Sequence, residues 1–232
     1  MAFELAKKEK RNPTEAEAYK LLSRYKMPVP KYYVTSSKEG AIKIANEIGF
    51  PLVMKIISSD IVHKSDIGGV KINILNNKQV AKAYQGIIQQ VGKNRPKAKR
   101  SGMLLYKQAP EGIEVVVGMI RDSQFGPTVM FGLGGIFVEI LKDVSFRVCP
   151  VDRIDVDEML REIKGIKLLQ GYRGQSKRDI NAIGDIILSV SELALDHPDI
   201  MEIDLNPIIV YERGAVVVDA KVFLNNDKKI DE

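Results

Sequence analysis

The chain has 232 residues, 45% of them hydrophobic and 28% charged, with a formal net charge of +5 and one cysteine. That balance is typical of a soluble globular protein large enough for one big domain or two lobes; it excludes an internal disulfide, and no Cys/His cluster has zinc spacing. No run approaches the roughly 20 apolar residues of a membrane span, and the start from Met1 to Lys10 lacks an apolar signal core, so a cytoplasmic chain without a membrane partner is expected.

After a charged lead, Asn12-Pro13-Thr14-Glu15 reads as a helix entrance with proline in the first turn, and the helix runs to about Tyr25. Val29 to Val34 is a short strand, Lys38 to Ile48 a helix closed by Gly49, and Pro51 to Ile57 a strand. Val70 to Leu75 forms another strand, Lys78 to Val91 a helix and Gly102 to Lys107 a further strand. The richest basic cluster, Lys93 to Arg100, lies between a helix and a strand without interleaved aromatics. It therefore reads as a solvated loop, and no nucleic-acid partner is expected.

This alternation predicts an α/β lobe over residues 11–103. Gln108-Ala109-Pro110-Glu111-Gly112 breaks the pattern and suits a hinge. Longer strands follow at Ile113 to Ile120, Thr128 to Leu133, Gly135 to Val138, Ser145 to Cys149, Ile200 to Leu205 and Ile208 to Val218. Helices at Asp155 to Ile163 and Arg178 to Asp196 intervene, the second ended by Pro198. An α+β lobe with a mainly antiparallel sheet is predicted for 104–224, then a charged tail over 225–232.

The most informative stretch is Pro51 to Val70. Lys55 stands between Val53-Met54 and Ile56-Ile57, and burying an ammonium costs several kcal/mol unless an anion such as a phosphate meets it. The following loop carries His63, one of two histidines, and ends in Gly68-Gly69, where a bare backbone can approach a ligand and point its N–H groups at it. Each piece has a plainer reading: a snorkelling edge-strand lysine, a solvated histidine, an ordinary turn. Their order along one strand, loop and strand favours a site.

A second constellation lies near the end, in Met201 to Pro207 and Ala215 to Lys221. Strand alternation puts Glu202, Asp204 and Asn206 on one face and sends Ile203 and Leu205 into the core. A hairpin would bring Asp219 alongside Asn206. Hard oxygen ligands on one face suit magnesium, which takes one or two carboxylates plus substrate phosphates; the plainer reading is the wet face of an edge sheet.

The strand lysine, glycine-ended loop, hinge and Asn-Pro with its hairpin Asp resemble the ATP-grasp fold, two lobes with a nucleotide between them. More narrowly, His63 to Val70, Met130-Phe131-Gly132-Leu133-Gly134-Gly135 and Asp204-Leu205-Asn206-Pro207 resemble the β subunit of ADP-forming acetate–CoA ligases, relatives of succinyl-CoA synthetase, over about residues 11–224. The resemblance implies that Lys55 and the glycines Gly68, Gly69, Gly134 and Gly135 serve the nucleotide phosphates. It also implies that the backbone of Tyr106, Lys107, Gln108 and Ala109 reads the base and that Glu114 takes the ribose. Asn206 and Asp219 match the family's magnesium ligands, Arg147 falls where the second lobe closes over the phosphates, and Asp204 matches an acidic position facing a phosphohistidine. His63 stands where succinyl-CoA synthetase has a glycine-rich loop with arginine, and the resemblance makes it a phosphoryl carrier.

The implied reaction is acyl-CoA + ADP + phosphate to carboxylate + ATP + CoA. No Gly-x-Gly-x-x-Gly follows a strand, so a CoA-binding α subunit with its own histidine is expected as partner, in an α2β2 heterotetramer. Two rivals stay open: a free-standing ATP-grasp carboxylate–amine ligase, and a nucleotide-sensing subunit without catalysis. Neither requires His63. The sequence does not choose the acyl group, ATP or ADP over GTP or GDP, or a role for Cys149 and His197.

Overall fold

The computed structural model describes residues 2–225, apart from 136, 137, 139 and 175. Two compact units emerge, one of residues 14–16 and 30–110, the other of 1–13, 17–29 and 111–232. No helix among the described residues is long and apolar enough to cross a membrane.

The smaller unit holds strands β1 (Tyr32–Thr35), β2 (Leu52–Ile57), β3 (Val70–Ile74) and β4 (Gly102–Lys107) in the order β1-β4-β2-β3, each neighbour antiparallel. Two of the chain's helices belong to this unit, α3 (Lys38–Ile48) and α4 (Asn77–Asn94), and both connect strands that are parallel but not adjacent. The alternation read from the sequence is therefore present, yet the sheet it builds is antiparallel because each crossover spans an intervening strand. Ser37 and Asn76 cap α3 and α4 by accepting from Gly40 N and Gln79 N, and Gly49, at φ +73°, ends α3. Ala41, Ala45, Val80, Ala83, Ile87 and Val91 of the helices pack on Leu52, Met54, Ile56, Met103 and Leu105. Each large aliphatic side chain so buried contributes about 1.5–3 kcal/mol. Strand β4 pairs with β2 along its whole length and with β1 from Met103 to Tyr106, so it belongs to the smaller unit, which runs to Pro110, seven residues past the boundary expected at 103.

The larger unit contains a six-stranded antiparallel sheet of β5 (Ile113–Asp122), β6 (Gly126–Leu133), β7 (Val144–Val148), β8 (Ile200–Val210), β9 (Ala215–Val217) and β10 (Lys221–Leu224). Its path is β10-β8-β5-β6-β7, with β9 also on β8. The longer helices α5 (Arg153–Glu162) and α7 (Ile180–Asp196) pack on this sheet and on each other, and a short turn of helix, α6 (Ile166–Leu169), lies between them. Ile183, Ile186, Ile187, Val190 and Leu193 of α7 are buried, as are Val115, Val117, Val129, Phe131, Ile203 and Leu205 of the sheet.

The lead is itself a helix, α1 (Ala2–Lys8), because Phe3 and Ala6, three residues apart on one face, are buried. Helix α2 (Glu15–Arg24) contributes Ala18, Tyr19, Leu21 and Leu22 to the core, and the Tyr19 hydroxyl donates to Val218 O at 2.8 Å. The strand expected at Gly135 to Val138 lies partly outside the described residues, and the tail from 226 onward lies outside them.

Candidate active site

Strand β2 is buried at every position, and Lys55 at its centre is 5% exposed. Its anionic partner is a carboxylate of the chain itself: Lys55 Nζ donates to Glu15 Oε1 at 2.7 Å, and Lys64 Nζ donates to Glu15 Oε2 at 3.1 Å. The Lys55 ammonium also lies 5.6 Å from the centre of the Tyr106 ring, a cation–π distance. Neither Glu15 nor Lys64 was read from the sequence as a site residue. For Glu15 a signal existed, since 15, 18, 19 and 22 share the face of α2 on which Ala18, Tyr19 and Leu22 are fully buried. A carboxylate on that face needs a cation.

His63 is exposed one residue before buried Lys64, in the loop between β2 and β3. The loop closes on itself: Gly68 N donates to Ser65 O at 3.0 Å, Gly69 N to Lys64 O at 2.7 Å, and Ile56 N to Gly69 O at 2.8 Å. This corrects the expectation that the glycine N–H groups point at a ligand, because both are engaged within the loop. Gly68 supplies a φ of +72°, and a Cβ on Gly69 would stand 2.8 Å from Ile56 Cγ2 and 2.9 Å from Lys64 O. The two glycines shape the loop.

At the expected hinge, Lys107 Nζ donates to Phe50 O at 2.8 Å and Gln108 N to Pro51 O at 3.0 Å. The Gln108 side chain pairs with Asn73, donating to Oδ1 and accepting from its backbone N, both at 2.7 Å. Ala109 follows immediately.

In the larger unit, β8 runs unbroken through Asn206 and Pro207 to Val210, and the chain reverses at 211–214, where Tyr211 N donates to Gly214 O. The sequence pattern instead predicts one strand ending at Leu205 and the next beginning at Ile208. Proline is tolerated inside the strand because it sits at an irregularity: the pairing of β5 with β8 shifts between Val115 and Val117, leaving Asn206 and Pro207 against Val116 alone. Glu202 and Asn206 are exposed and Asp204 half-buried, while Ile203 and Leu205 are buried, as alternation predicts.

Strands β9 and β10 pair with β8 in one register, Val217 opposite Ile208 and Lys221 opposite Asp204. Between them Val218 N donates to Pro207 O at 3.1 Å, so the same register sets Asp219 opposite Asn206. The Tyr19 bond to Val218 O fixes this segment from the other side. An amide oxygen on β8 and a carboxylate on the segment between β9 and β10 are hard donors of the kind magnesium takes with phosphate oxygens, so the pair fits that ion. No cluster of three or more His, Cys, Asp or Glu placed to hold a metal occurs among the described residues.

Asp204 accepts from Lys221 Nζ at 2.9 Å. Burial lowers the Lys221 ammonium, but the Asp204 hydrogen bond and the Asp204, Asp219 and Glu202 charges outweigh it and leave the pKa raised. Glu202 is also raised, by burial and by the Asp204 charge, with Lys221 opposing.

Glu114 is exposed on β5, and Gly134 N donates to its carbonyl at 2.8 Å. A Cβ on Gly134 would come within 2.8 Å of Glu114 Cβ, so glycine is what lets the two approach; Gly135 follows at φ +61°. Arg147 has partners other than the expected phosphates. Its guanidinium donates to both Glu162 oxygens at 2.7 and 3.1 Å and to Glu158 at 3.1 Å, and lies 3.8 Å from Asp155. These α5 carboxylates, Glu162 first, raise the Arg147 pKa, and the same bond lowers that of Glu162.

An open cleft of about 810 Å³ lies elsewhere, lined by Arg24, Tyr25, Met27, Glu192, Asp196 and His197 among others, and none of the site residues above lines it. His197 packs edge-on against Phe3 and Tyr25 there, and Cys149 is a buried free thiol.

Two antiparallel lobes with a strand lysine in one and a paired Asn and Asp in the other define an ATP-grasp protein, and the model of the ATP-grasp domain matches residues 4–224. The chain is 53% identical over 222 residues to acetate–CoA ligase (ADP-forming) I subunit beta of Pyrococcus furiosus, covering 96% of each. It is 46% identical to acetate–CoA ligase (ADP-forming) I of Archaeoglobus fulgidus, where the match takes 91% of this chain and 31% of that longer protein. A solved acetyl-coenzyme A synthetase 1 of Ca. Korarchaeum cryptofilum superposes with a TM-score of 0.83 at 42% identity, covering 97% of this chain and 98% of that one. That structure holds coenzyme A and Mg-AMPPCP, with its phosphohistidine segment pointing towards the nucleotide site. The chain belongs to the ATP-grasp family, among the β subunits of ADP-forming acetate–CoA ligases.

Proposed function

We propose that this chain is the nucleotide-binding β subunit of an ADP-forming acyl-CoA synthetase, catalysing acetyl-CoA + ADP + phosphate to acetate + ATP + CoA with a partner. The observation that carries the reading is His63, exposed on a loop that starts from the buried Lys55 strand, in a chain so similar to that subunit. His63 carries the phosphoryl group. In the direction of ATP synthesis a terminal oxygen of ADP attacks the phosphorus of the phosphohistidine, whose other ring nitrogen carries a proton; the N–P bond breaks with its electron pair returning to nitrogen, and the imidazole is left neutral.

Phosphoryl transfer needs mainly positioning and charge neutralisation. Lys55 meets the phosphates, the backbone from Tyr106 to Ala109 reads the base, Glu114 binds the ribose and Gly134-Gly135 lie under the phosphates. Asn206 and Asp219 would hold magnesium, which neutralises phosphate charge when bound. Asp204, which accepts from Lys221 Nζ, takes the acidic position that serves the phosphohistidine. Arg147, expected on the phosphates, has its donors on Glu158 and Glu162, which supports a role in fastening α5 to β7 instead.

That the Pyrococcus relative is a subunit beta, and that the Archaeoglobus relative has a further two thirds of chain, supports a partner subunit; our reading gives that partner the CoA site and a second histidine, in an α2β2 assembly. The adenine-nucleotide analogue in the Korarchaeum structure supports ADP and ATP over GDP and GTP, and the reaction's soluble substrates support a cytoplasmic location. The same likeness weighs against a carboxylate–amine ligase and a non-catalytic sensor. The test is ATP formation from acetyl-CoA, ADP and phosphate by the chain reconstituted with its partner. Turnover by this chain alone, or full turnover by the His63→Ala complex, would overturn the reading.

A further inference from the structure

The reading of His63 as carrier leaves open what sets the histidine in place. Resting on that reading, we propose that Glu15 and Lys64 are positioning residues for His63: the Glu15 carboxylate, bonded to Lys55 through one oxygen and to Lys64 through the other, ties the histidine loop to the phosphate-binding strand.

Three observations converge on this. The side chains of Glu15, Lys55 and Lys64 are 1%, 7% and 8% exposed, so this is a buried cluster, unlike a surface ion pair that contributes little. Lys64 is the covalent neighbour of His63, and with consecutive Cα atoms about 3.8 Å apart an anchor at one fixes the reach of the other. His63, Ser65 and Asp66 are exposed, so Lys64 alone in this stretch turns inward. Lys64 is held through its backbone as well, Gly69 N donating to Lys64 O at 2.7 Å, whereas the loop's ties at Asp60 (from Lys99 N, 2.7 Å) and Ile67 (from Asn94 Nδ2, 3.2 Å) lie farther along the chain from His63.

One carboxylate shared by two ammoniums also links the loop to the state of the nucleotide site. A phosphate arriving at Lys55 draws that ammonium toward itself and shifts Glu15 toward Lys64, which tightens the hold beside His63. Its departure returns Glu15 to Lys55 and relaxes the loop. His63 is thus held most firmly when there is a nucleotide to exchange a phosphoryl group with.

The test uses the chain with its partner, rapid-quench labelling by γ-labelled Mg-ATP, and mapping of acid-labile phosphate to His63. Lys64→Met, which keeps the stem and removes the charge, should label His63 ~10- to 100-fold more slowly, the range a displacement of about 1 Å brings. Its ATP half-saturation should stay within about twofold of wild type, and Lys64→Arg should recover most of the rate. Labelling of Lys64→Met at the wild-type rate overturns the proposal. So does a slower rate with a matching rise in half-saturation, which would make Lys64 a phosphate ligand. Absence of label on wild-type His63 is a separate result: it removes the carrier reading and the proposal with it. Should Lys64→Met not fold, hydrogen exchange of wild-type residues 62–66 decides, slowing about threefold or more when Mg-AMPPCP binds if the latch exists and not changing if it does not.

Discussion

Replacing Lys55 with Met removes the ammonium from the centre of β2 and keeps a stem of similar length in a fully buried strand. An ammonium about 4 Å from a phosphate oxygen, at an effective dielectric near 20, is attracted by about 4 kcal/mol. Lys55 already bonds Glu15 at 2.7 Å and must share its charge when a phosphate arrives, which offsets part of that attraction. The net loss should be that of a hydrogen bond to a charged group, about 1.5–3 kcal/mol, or roughly a 10- to 150-fold rise in Kd for Mg-ADP. The fold should survive, because Glu15 keeps Lys64 at 3.1 Å and methionine packs among Val53, Ile57 and Leu104. Titration calorimetry of Mg-ADP into the variant, beside a thermal melt, measures both quantities. A folded variant that binds Mg-ADP with wild-type affinity would show that Lys55 serves Glu15 and not the nucleotide.

Asp219→Asn should raise the magnesium concentration needed for half-maximal ATP synthesis and leave the melting temperature nearly unchanged; identical magnesium curves would put the metal elsewhere. His63→Ala should abolish acetyl-CoA-dependent ATP formation by the complex while Mg-ADP affinity by calorimetry stays near wild type, since the ring acts in transfer. Asp179 caps α7, accepting from Ala182 N at 3.1 Å and from Gly214 N at 2.7 Å, so Asp179→Ala should cost about 1–2 kcal/mol in urea unfolding at neutral pH. The Gly214 and Ala182 bonds hold this carboxyl below its usual range, so the stability it confers is present above about pH 4 and lost as pH falls through the lowered value. The gap between wild type and Asp179→Ala should therefore narrow in acid, and a constant gap would show that its charge is immaterial.

Much of this architecture was legible because it rests on periodicity. The buried run of β2, the outward face of Glu202, Asp204 and Asn206, and the strand–helix alternation of the smaller unit follow from side-chain spacing alone. Adjacency does not follow from spacing: nothing in the sequence says that β4 inserts between β1 and β2, and that insertion makes the sheet antiparallel. Lys64 was illegible for a related reason, since a loop has no period against which an inward-turned side chain stands out. Glu15 was hidden by its position, where an acidic residue in the first turn of a helix already has a sufficient explanation in the helix dipole. Arg147 shows the converse, an arginine whose partners on α5 are 8 to 15 residues away and invisible until helix and strand are packed.

The shared register of β9 and β10 on β8 makes chain length part of the chemistry. Pairing lapses from Val218 to Ala220 and resumes without gaining or losing a residue, so Asp219 and Lys221 are indexed to Asn206 and Asp204 like two teeth on one gear. Inserting a single residue after Asp219 would leave β9 intact but turn every side chain of β10 to the opposite face. Lys221 would leave Asp204, and Val222, now buried, would be turned outward. A point substitution at Lys221 injures one pair; this shift in count would undo the Lys221–Asp204 pair and the packing of β10 together, with every original residue still present.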